Sequence, residues 1–196
     1  MKYAFVFTLS VLLVNCSSIP EPPLSISSPY ALTVDYSRSI EAAVNACKFP
    51  FANNEINSAN FKDSTIGSRE LLAVLVKVSR YADPGAITDK MASIGYRPAS
   101  LKELLALAEE YPEAQQGATI VALSAACQMR TTNHSFRVSE FGPSIIGNSA
   151  SPPSRGEMSW YYAFLGSSRN AGMIDLDIFS ALVQKNPDLC ACFVTK

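Results

Sequence analysis

The clearest pattern of apolar and polar positions lies in residues 94–112. Four apolar residues follow one another at the spacing i, i+3, i+4 and i+7, which places them on one face of a helix. They are Leu101, Leu104, Leu105 and Ala108. Ser100 precedes them with Glu103 three residues later, the pattern of a capping box. Gly95 and Pro98 separate this helix from an earlier one, since glycine readily ends a helix and proline keeps the residue before it extended.

Two more helices are predicted earlier in the chain, each from apolar residues on one face. The first has Ile40, Val44 and Cys47 on that face, and the second has Ile87, Met91 and Ile94. We expect Ser37 to cap the first helix, and Asp83 with Pro84 to open the second, because these residue types favour the N-cap and the first helical position. Residues 51–68 are rich in Asn and Ser and predict a loop.

Strand patterns fill the rest of the chain. Residues 31–36 alternate between apolar and polar, and residues 70–81 form a β-branched run typical of a strand buried on both faces, with a helix as the alternative. Five more short runs follow residue 115 between turn residues. They are residues 119–129, 134–141, 157–165, 172–179 and 189–195. Helices followed by strands predict an α+β fold, with about three helices in the N-terminal half packed on a mostly antiparallel sheet.

The first residues read as an export signal. Met1-Lys2 forms a short positive region, and residues 3–14 are almost entirely apolar, the length of a signal-peptide core and short for a membrane span. Residues 12–18, Leu-Leu-Val-Asn-Cys-Ser-Ser, resemble a bacterial lipobox, although Asn15 departs from the usual small residue before the Cys. The resemblance implies that Cys16 becomes a lipidated, palmitate-bearing first residue. The alternative is an ordinary signal peptide in which this Cys is incidental.

A division into three segments follows. Residues 1–15 are the signal peptide, residues 16–29 are the lipidated Cys and a flexible linker rich in Pro and Ser, and residues 30–196 form a single globular α+β domain. Acyl chains on Cys16 would anchor the domain to a membrane. With no Asp directly after this Cys, the lipoprotein resemblance implies the outer membrane, with the domain facing the periplasm or the cell surface.

Composition restricts the partners and the chemistry. The net charge of −1 and the pI near 5.9 give no overall positive field for nucleic acid, so the membrane contact is expected only through the N-terminal lipid. The single histidine, His134, lies in a polar turn, and no serine stands in a Gly-x-Ser-x-Gly motif. The cysteines are too scattered for a zinc site. We predict no catalytic residue, no metal site and no cofactor.

Four cysteines follow the export signal: Cys47, Cys127, Cys190 and Cys192. Cys190 and Cys192 share one face of the last predicted strand, where they are poorly placed to bond each other, but either could meet Cys127 on a neighbouring strand. We expect one disulfide, from Cys127 to Cys190 or to Cys192, with free buried thiols as the alternative. Cys47 lies on an apolar helix face and is expected to be a small buried residue.

Two features form a candidate ligand surface. Trp160, Tyr161 and Tyr162 belong to the densest aromatic run, which core packing explains in part, but outward-facing rings there would suit a sugar or a protein surface. Arg97 is the second feature. Its neighbours each have a backbone role in starting or ending a helix, whereas the Arg97 side chain has none that the sequence shows.

The chain also resembles a family of uncharacterised bacterial proteins with the motif Gly-[Leu/Tyr]-Arg-Pro-Ala-[Ser/Thr]-Leu-x-Glu-Leu-Leu-Ala. The matching segments are Val34-Asp35-Tyr36-Ser37, Asn54-Glu55-Ile56-Asn57, Gly95 to Ala106, Tyr111-Pro112-Glu113, Ile120-Val121-Ala122-Leu123-Ser124 and Cys190 to Lys196. The family brings no biochemical activity with it. A looser resemblance, to C-type-lectin-like and formylglycine-generating-enzyme-like domains, implies a binding scaffold, although the Trp-Asn-Asp calcium motif is missing here.

These features predict an exported, membrane-tethered bacterial lipoprotein with a binding or structural role in the envelope and a protein or glycan ligand. The alternative is a hydrolase-like envelope enzyme that uses carboxylates or Arg97 in a cleft between the helices and the sheet.

Overall fold

The structure is a computed structural model that describes residues 23–49, 52–78, 84–115, 118–130, 144–147, 158–165 and 189–196. Those residues contain three α-helices, one 3-10 helix and eight β-strands. The helices are α1 (Ile40–Ala46), α2 (Pro84–Ser93) and α3 (Leu101–Glu110), and the 3-10 helix is Pro112–Gln115. The strands are β1 (Ser25–Ile26), β2 (Tyr30–Asp35), β3 (Ser68–Lys77), β4 (Tyr96–Pro98), β5 (Thr119–Arg130), β6 (Ser144–Gly147), β7 (Met158–Leu165) and β8 (Leu189–Thr195).

All eight described strands belong to one mixed sheet. Six of them define its width, in the order β1-β3-β8-β5-β7-β6. β2 pairs with β3 on the same edge as β1, and β4 pairs with β8 on the same edge as β5. Every pairing among the described strands is antiparallel except that of β5 with β8. The predicted α+β class, with three helices and a mostly antiparallel sheet, is confirmed.

Apolar side chains cover both faces of the middle of the sheet. Along β3, Ala73 and Leu75 belong to one buried cluster and Val74 and Val76 to another, because successive strand residues point to opposite faces. α1 and α3 contribute to the first cluster, and α2 contributes to the second. The molecule is therefore layered, with two helices on one face of the sheet and one on the other. The strand predicted in residues 70–81 is confirmed against the helical alternative over residues 70–77, and residues 79–81 lie outside the described part of the chain.

The sheet forks beside β8. β5 pairs with β8 only over residues 119–121, which lie beside residues 189–191, and then diverges from it. Beyond that point, residues 193–195 of β8 pair with β4 instead. At that point β5 has an irregularity in which residues 122–125 lie opposite the single residue Ala163 of β7. Such a bulge redirects side chains. Here Ser124 donates a hydrogen bond of 2.6 Å to the carbonyl oxygen of Ala99, just after β4.

The edge of β2 that faces away from β3 is closed by the end of α3. The Glu110 carboxylate accepts from the amide of Thr33, and the Tyr111 hydroxyl donates to the carbonyl of Ala31, each at 3.0 Å. These are backbone groups that an open edge strand would offer to another chain.

Two expectations about helix ends are corrected. Ser39 rather than Ser37 caps α1, because its hydroxyl accepts from the amide of Ala42 at 3.1 Å. Ile94 does not extend the buried stripe of α2, because the helix ends at Ser93 and the side chain of Ile94 is left 55% exposed.

The sheet also begins earlier than expected, inside the predicted linker. Ser25 opens β1, and Ser27 exchanges two hydrogen bonds of 2.9 Å with the backbone of Leu75 on β3. Two of the predicted strands, residues 134–141 and 172–179, lie outside the described residues.

Candidate functional site

A bidentate ion pair joins β4 to the first turn of α3. The Arg97 guanidinium donates to both oxygens of the Glu103 carboxylate, at 2.9 Å to Oε2 and 2.6 Å to Oε1. The Glu103 side chain is 1% exposed, whereas that of Arg97 is 36% exposed. Paired, charge-assisted bonds of this kind are among the stronger hydrogen bonds in proteins. Arg97 therefore has a structural role that the sequence did not reveal.

Glu103 has two further donors. The Tyr36 hydroxyl donates to Oε1, and the backbone amide of Ser100 donates to Oε2 at 2.7 Å. With Arg97, each carboxylate oxygen thus accepts two hydrogen bonds, which fills its capacity. Burial by itself raises the pKa of Glu103, but these bonds outweigh burial and hold the pKa below its ordinary value. Glu103 is ionised at neutral pH and has no acceptor site left for a substrate proton.

Tyr36 is held as a hydrogen-bond donor. Burial, together with the hydrogen bond to Glu103 and its charge, raises the pKa of Tyr36 to about 12. Tyr36 follows Leu32 and Val34 at a spacing of two, so all three side chains point to the same side and are buried. The guanidinium carbon of Arg69, at the start of β3, lies 5.8 Å from the centre of the Tyr36 ring.

Local sequence signals position the pair. The capping box is confirmed, since the Ser100 hydroxyl accepts from the Glu103 amide while the Glu103 carboxylate accepts from the Ser100 amide. Pro98 keeps Arg97 extended in β4, as predicted. Gly95 follows α2 with φ of 91°, a conformation that side-chain-bearing residues rarely adopt. The side chains of Arg97 and Glu103 therefore meet because a short extended segment leads directly into a capped helix.

The ion pair belongs to the lining of a cleft of about 390 Å³, a volume typical of small-molecule sites. The lining comes from the turn after β2, the start of α1, the loop before β3, the start of β3 itself, β4, the start of α3 and the bulge of β5. The polar residues in the lining are Tyr36, Lys62, Asp63, Thr65, Arg69, Arg97, Ser100, Lys102, Glu103 and Ser124.

The loop that lines the cleft is fixed by contacts of its own. Phe61 is buried in the core. Ser58 donates its amide and its hydroxyl to the Glu41 carboxylate on α1, at 2.8 and 2.7 Å, and these bonds lower the pKa of Glu41 to about 2. The Asp63 carboxylate accepts from the amide of Thr65 at 2.9 Å. Such contacts form the lining before any ligand arrives, which lowers the entropic cost of binding.

The cleft is positively charged although the chain carries a net charge of −1. Its lining contains four cationic side chains and two carboxylates. The cations are those of Lys62, Arg69, Arg97 and Lys102, and the carboxylates are those of Asp63 and Glu103. Because Arg97 and Glu103 neutralise each other, three cations remain against one carboxylate.

Ser124 in the cleft lining and the thiols of Cys47 and Cys192 lack the features of an activated nucleophile. The Ser124 hydroxyl donates to the carbonyl of Ala99 rather than to a base. Burial, with a further contribution from the charge of Glu103, raises the pKa of the Cys192 thiol, which is fully buried. Burial likewise raises the pKa of Cys47 to about 12. Both thiols stay protonated at neutral pH and are poor nucleophiles.

Of the predicted ligand surface, Arg97 lies in the cleft lining. Trp160, Tyr161 and Tyr162 lie on β7, where their backbone pairs with residues 126–128 of β5, directly after the bulge. Their side chains are outside the described part of the chain, so the aromatic half of that surface stays a prediction.

The predicted lipidation site, Cys16, lies outside the described residues. Cys192 is a free thiol in this structure. Cys190 lies beside Ile120 in the parallel pairing, while the backbone of Cys127 lies further along β5, opposite Tyr161. The side chain of Cys127 is not among those described, and the disulfide stays a prediction.

The sequence did not identify Tyr36, Lys62 and Arg69 as neighbours of Arg97. A signal existed for Tyr36, since its place in the alternating pattern of β2 turns it inward, where a buried hydroxyl needs a partner. No comparable signal existed for Lys62, because a polar loop of this length has no periodicity that fixes its path. Arg69 lies at the start of β3, before the apolar run that predicted this strand.

Comparison with known proteins gives this chain no relative. No family model, curated protein or solved structure matches it. The resemblances drawn from the sequence motifs therefore stay predictions. In the described segments, no helix is long and apolar enough to cross a membrane, and no three His, Cys, Asp or Glu side chains are grouped so that they could hold a metal ion.

Proposed function

We propose that the chain is an exported lipoprotein that binds a ligand in the cleft around Arg97 and does not transform it. The apolar segment in residues 3–14, Cys16 at its end and the Pro- and Ser-rich stretch that follows support export and tethering. The tethered domain would lie in the cell envelope, at the outer membrane, and face the periplasm or the surface.

The main support for a binding function is the complete set of hydrogen bonds around Glu103. A general acid or base must exchange a proton with its substrate and needs a free site on the reacting atom. Glu103 has none, since Arg97, Tyr36 and Ser100 occupy all its acceptor positions. The network instead makes a rigid lining, which favours recognition over catalysis.

The size of the cleft restricts what it can hold. A volume of about 390 Å³ suits one small molecule, or one terminal unit of a larger glycan or protein. A whole protein surface would contact the rim alone. The ligand proposed here is therefore a small molecule or the end of a chain.

The enzyme alternative has one observation in its favour, because Arg97 and a carboxylate do meet in a cleft, as that alternative requires. Neither Tyr36 nor Glu103 can act as its base, since Tyr36 is protonated at neutral pH and Glu103 is fully bonded.

Mass spectrometry of the captured ligand separates the two functions. The purified full chain, in non-ionic detergent, is incubated with an extract of cell envelope, recovered and denatured, and the released small molecules are weighed. A binding protein returns a molecule with the same mass as in the extract. Release of a cleaved or altered molecule, absent when the chain is omitted, would support the enzyme. Recovery of no molecule at all would contradict ligand binding.

The tether has its own test. Mass spectrometry of the mature N-terminus is expected to find residue 16 first, with acyl chains attached. An unmodified Cys16, or a chain that begins beyond it, would refute the lipoprotein proposal without affecting the cleft.

A further inference from the structure

Two cations in the cleft lining have neither a carboxylate nor a carbonyl partner among the described residues, whereas a third, Lys102, donates to the carbonyl oxygen of Tyr36. The two are Lys62 in the loop and Arg69 at the start of β3, and both side chains are exposed. The contact of Arg69 is with the face of the Tyr36 ring, an interaction that engages none of its N–H groups as conventional donors. By contrast, the cations Arg38 and Arg97 are each paired with a glutamate at short distance.

The uncharged groups of the lining also offer more hydrogen-bond donors than acceptors. The Ser100 hydroxyl accepts from the amide of Glu103, so its own hydrogen remains to be donated. The Thr65 hydroxyl also lines the cleft. Ser124 offers only acceptor capacity, since its hydrogen is donated to the carbonyl of Ala99. Donors therefore outnumber acceptors in the lining, where the one carboxylate outside the ion pair is that of Asp63, which accepts from the amide of Thr65.

A guanidinium with free N–H groups has a geometry that matches two oxygens of one carboxylate or phosphate group. A second cation nearby adds attraction, and a preformed lining keeps the cost of ordering low. A neutral ligand would make no use of the charges of Arg69 and Lys62, which are exposed to solvent.

We infer that the ligand of this cleft carries a carboxylate or phosphate group, which Arg69 holds as a bidentate donor and Lys62 attracts. This rests on the proposed binding function and narrows it to an anionic small molecule or an anionic end of a glycan or peptide. The pair of Arg97 and Glu103 provides the rigid lining and makes no ionic contact of its own with the anion.

Isothermal titration calorimetry on the purified full chain in non-ionic detergent at low ionic strength tests the inference. The probes are sodium glucuronate, inorganic phosphate and methyl glucoside, so that a carboxylate, a phosphate and a neutral sugar are compared. We expect glucuronate or phosphate to bind at least about tenfold more tightly than methyl glucoside, and salt to weaken that binding. Which of the two anions binds more tightly assigns the head group.

Variants then locate the site. Arg69→Gln is expected to weaken binding of the anion about tenfold or more, because a charge-assisted bidentate contact is lost. Arg69→Lys keeps the charge without the planar fork and is expected to give a smaller loss. Lys90→Gln is the matched control, since it removes one exposed positive charge from α2, on the other face of the sheet, and should change the affinity less than about twofold. Circular dichroism checks that each variant is folded.

Three outcomes would overturn the inference: equal binding of methyl glucoside, unchanged affinity in Arg69→Gln, or an equal loss in Lys90→Gln. Absence of anion binding to the wild type would overturn it too. If the mass-spectrometric experiment still recovers an unaltered neutral molecule, the proposed function stands and only the anionic ligand fails. If that experiment recovers nothing, both fail.

Discussion

Replacing Arg97 by Met tests how strongly the fold depends on the buried carboxylate having a partner. The substitution keeps an unbranched side chain and removes the hydrogen bonds of 2.9 and 2.6 Å to Glu103. Breaking a buried ion pair by removing one partner costs about 3–5 kcal/mol of unfolding free energy. Because Arg97 is 36% exposed, and Tyr36 and Ser100 still donate to the carboxylate, we expect the lower end, about 3 kcal/mol at neutral pH.

The dependence of this cost on pH identifies its origin. In the wild type the pKa of Glu103 lies below its ordinary value, so its stabilising contribution is present above the unfolded-state pKa of about 4.3 and is lost as the pH falls through the folded-state pKa. Without Arg97, burial dominates and raises the pKa of Glu103 above the unfolded value. The variant's carboxyl group can then be neutral near pH 4, and we expect the cost of the substitution to fall to about 1 kcal/mol there.

Urea unfolding followed by far-ultraviolet circular dichroism, at about pH 7 and about pH 4, measures both values if the m-value is unchanged. Arg38→Met is the matched control. Arg38 forms the same bidentate pair with Glu109, at 3.2 and 2.7 Å, but the Glu109 side chain is 33% exposed, so its loss should cost less than about 1 kcal/mol. An equal cost for the two variants, or a cost for Arg97→Met that does not change with pH, would show that the buried Glu103 charge is not the source of the lost stability.

Three further predictions follow from the same region. Ser100→Ala is expected to cost about 1 kcal/mol in urea unfolding, because the Glu103 amide loses its cap acceptor, and an unchanged midpoint would contradict the capping box. Gly95→Ala is expected to cost about 1–2 kcal/mol in thermal unfolding, because alanine must adopt the positive φ of Gly95. No steric clash adds to this cost, since no atom lies within 4 Å of an added Cβ. Cys192 should react with iodoacetamide at neutral pH only in denaturant, and Cys47 only slowly without it; rapid labelling of the native chain at Cys192 would contradict its burial.

The sequence predicted the elements that local chemistry determines. The capping box at Ser100 and the left-handed Gly95 were recognised because a few neighbouring residues specify each of them. Residues 189–195 were predicted as a strand and form β8 with the same limits. The error at Ile94 arose because the helical spacing of apolar residues continues for one residue beyond Ser93, where α2 ends and the amide of Ile94 donates to the carbonyl three residues back, that of Met91.

The arrangement of the site could not be predicted in the same way. Arg97 and Glu103 are six residues apart, but Tyr36 joins them across 67 positions of the chain, and only the packing of α3 on the sheet brings it there. The bulge that aims Ser124 at Ala99 is a pairing irregularity between β5 and β7, with no signature in β5 alone. β4 has only three residues, too few for an alternating pattern to show.

β8 occupies the middle of the sheet, although it is the last strand in chain order. It pairs with β3 along one side and with β4 and β5 along the other, so residue 194 meets residue 73. The two halves of the sheet therefore cannot join until β8 has been synthesised, and contacts so distant in sequence slow folding. The sheet cannot be completed before residues 189–195 have been made, a delay that suits a protein proposed to leave the compartment in which it is made.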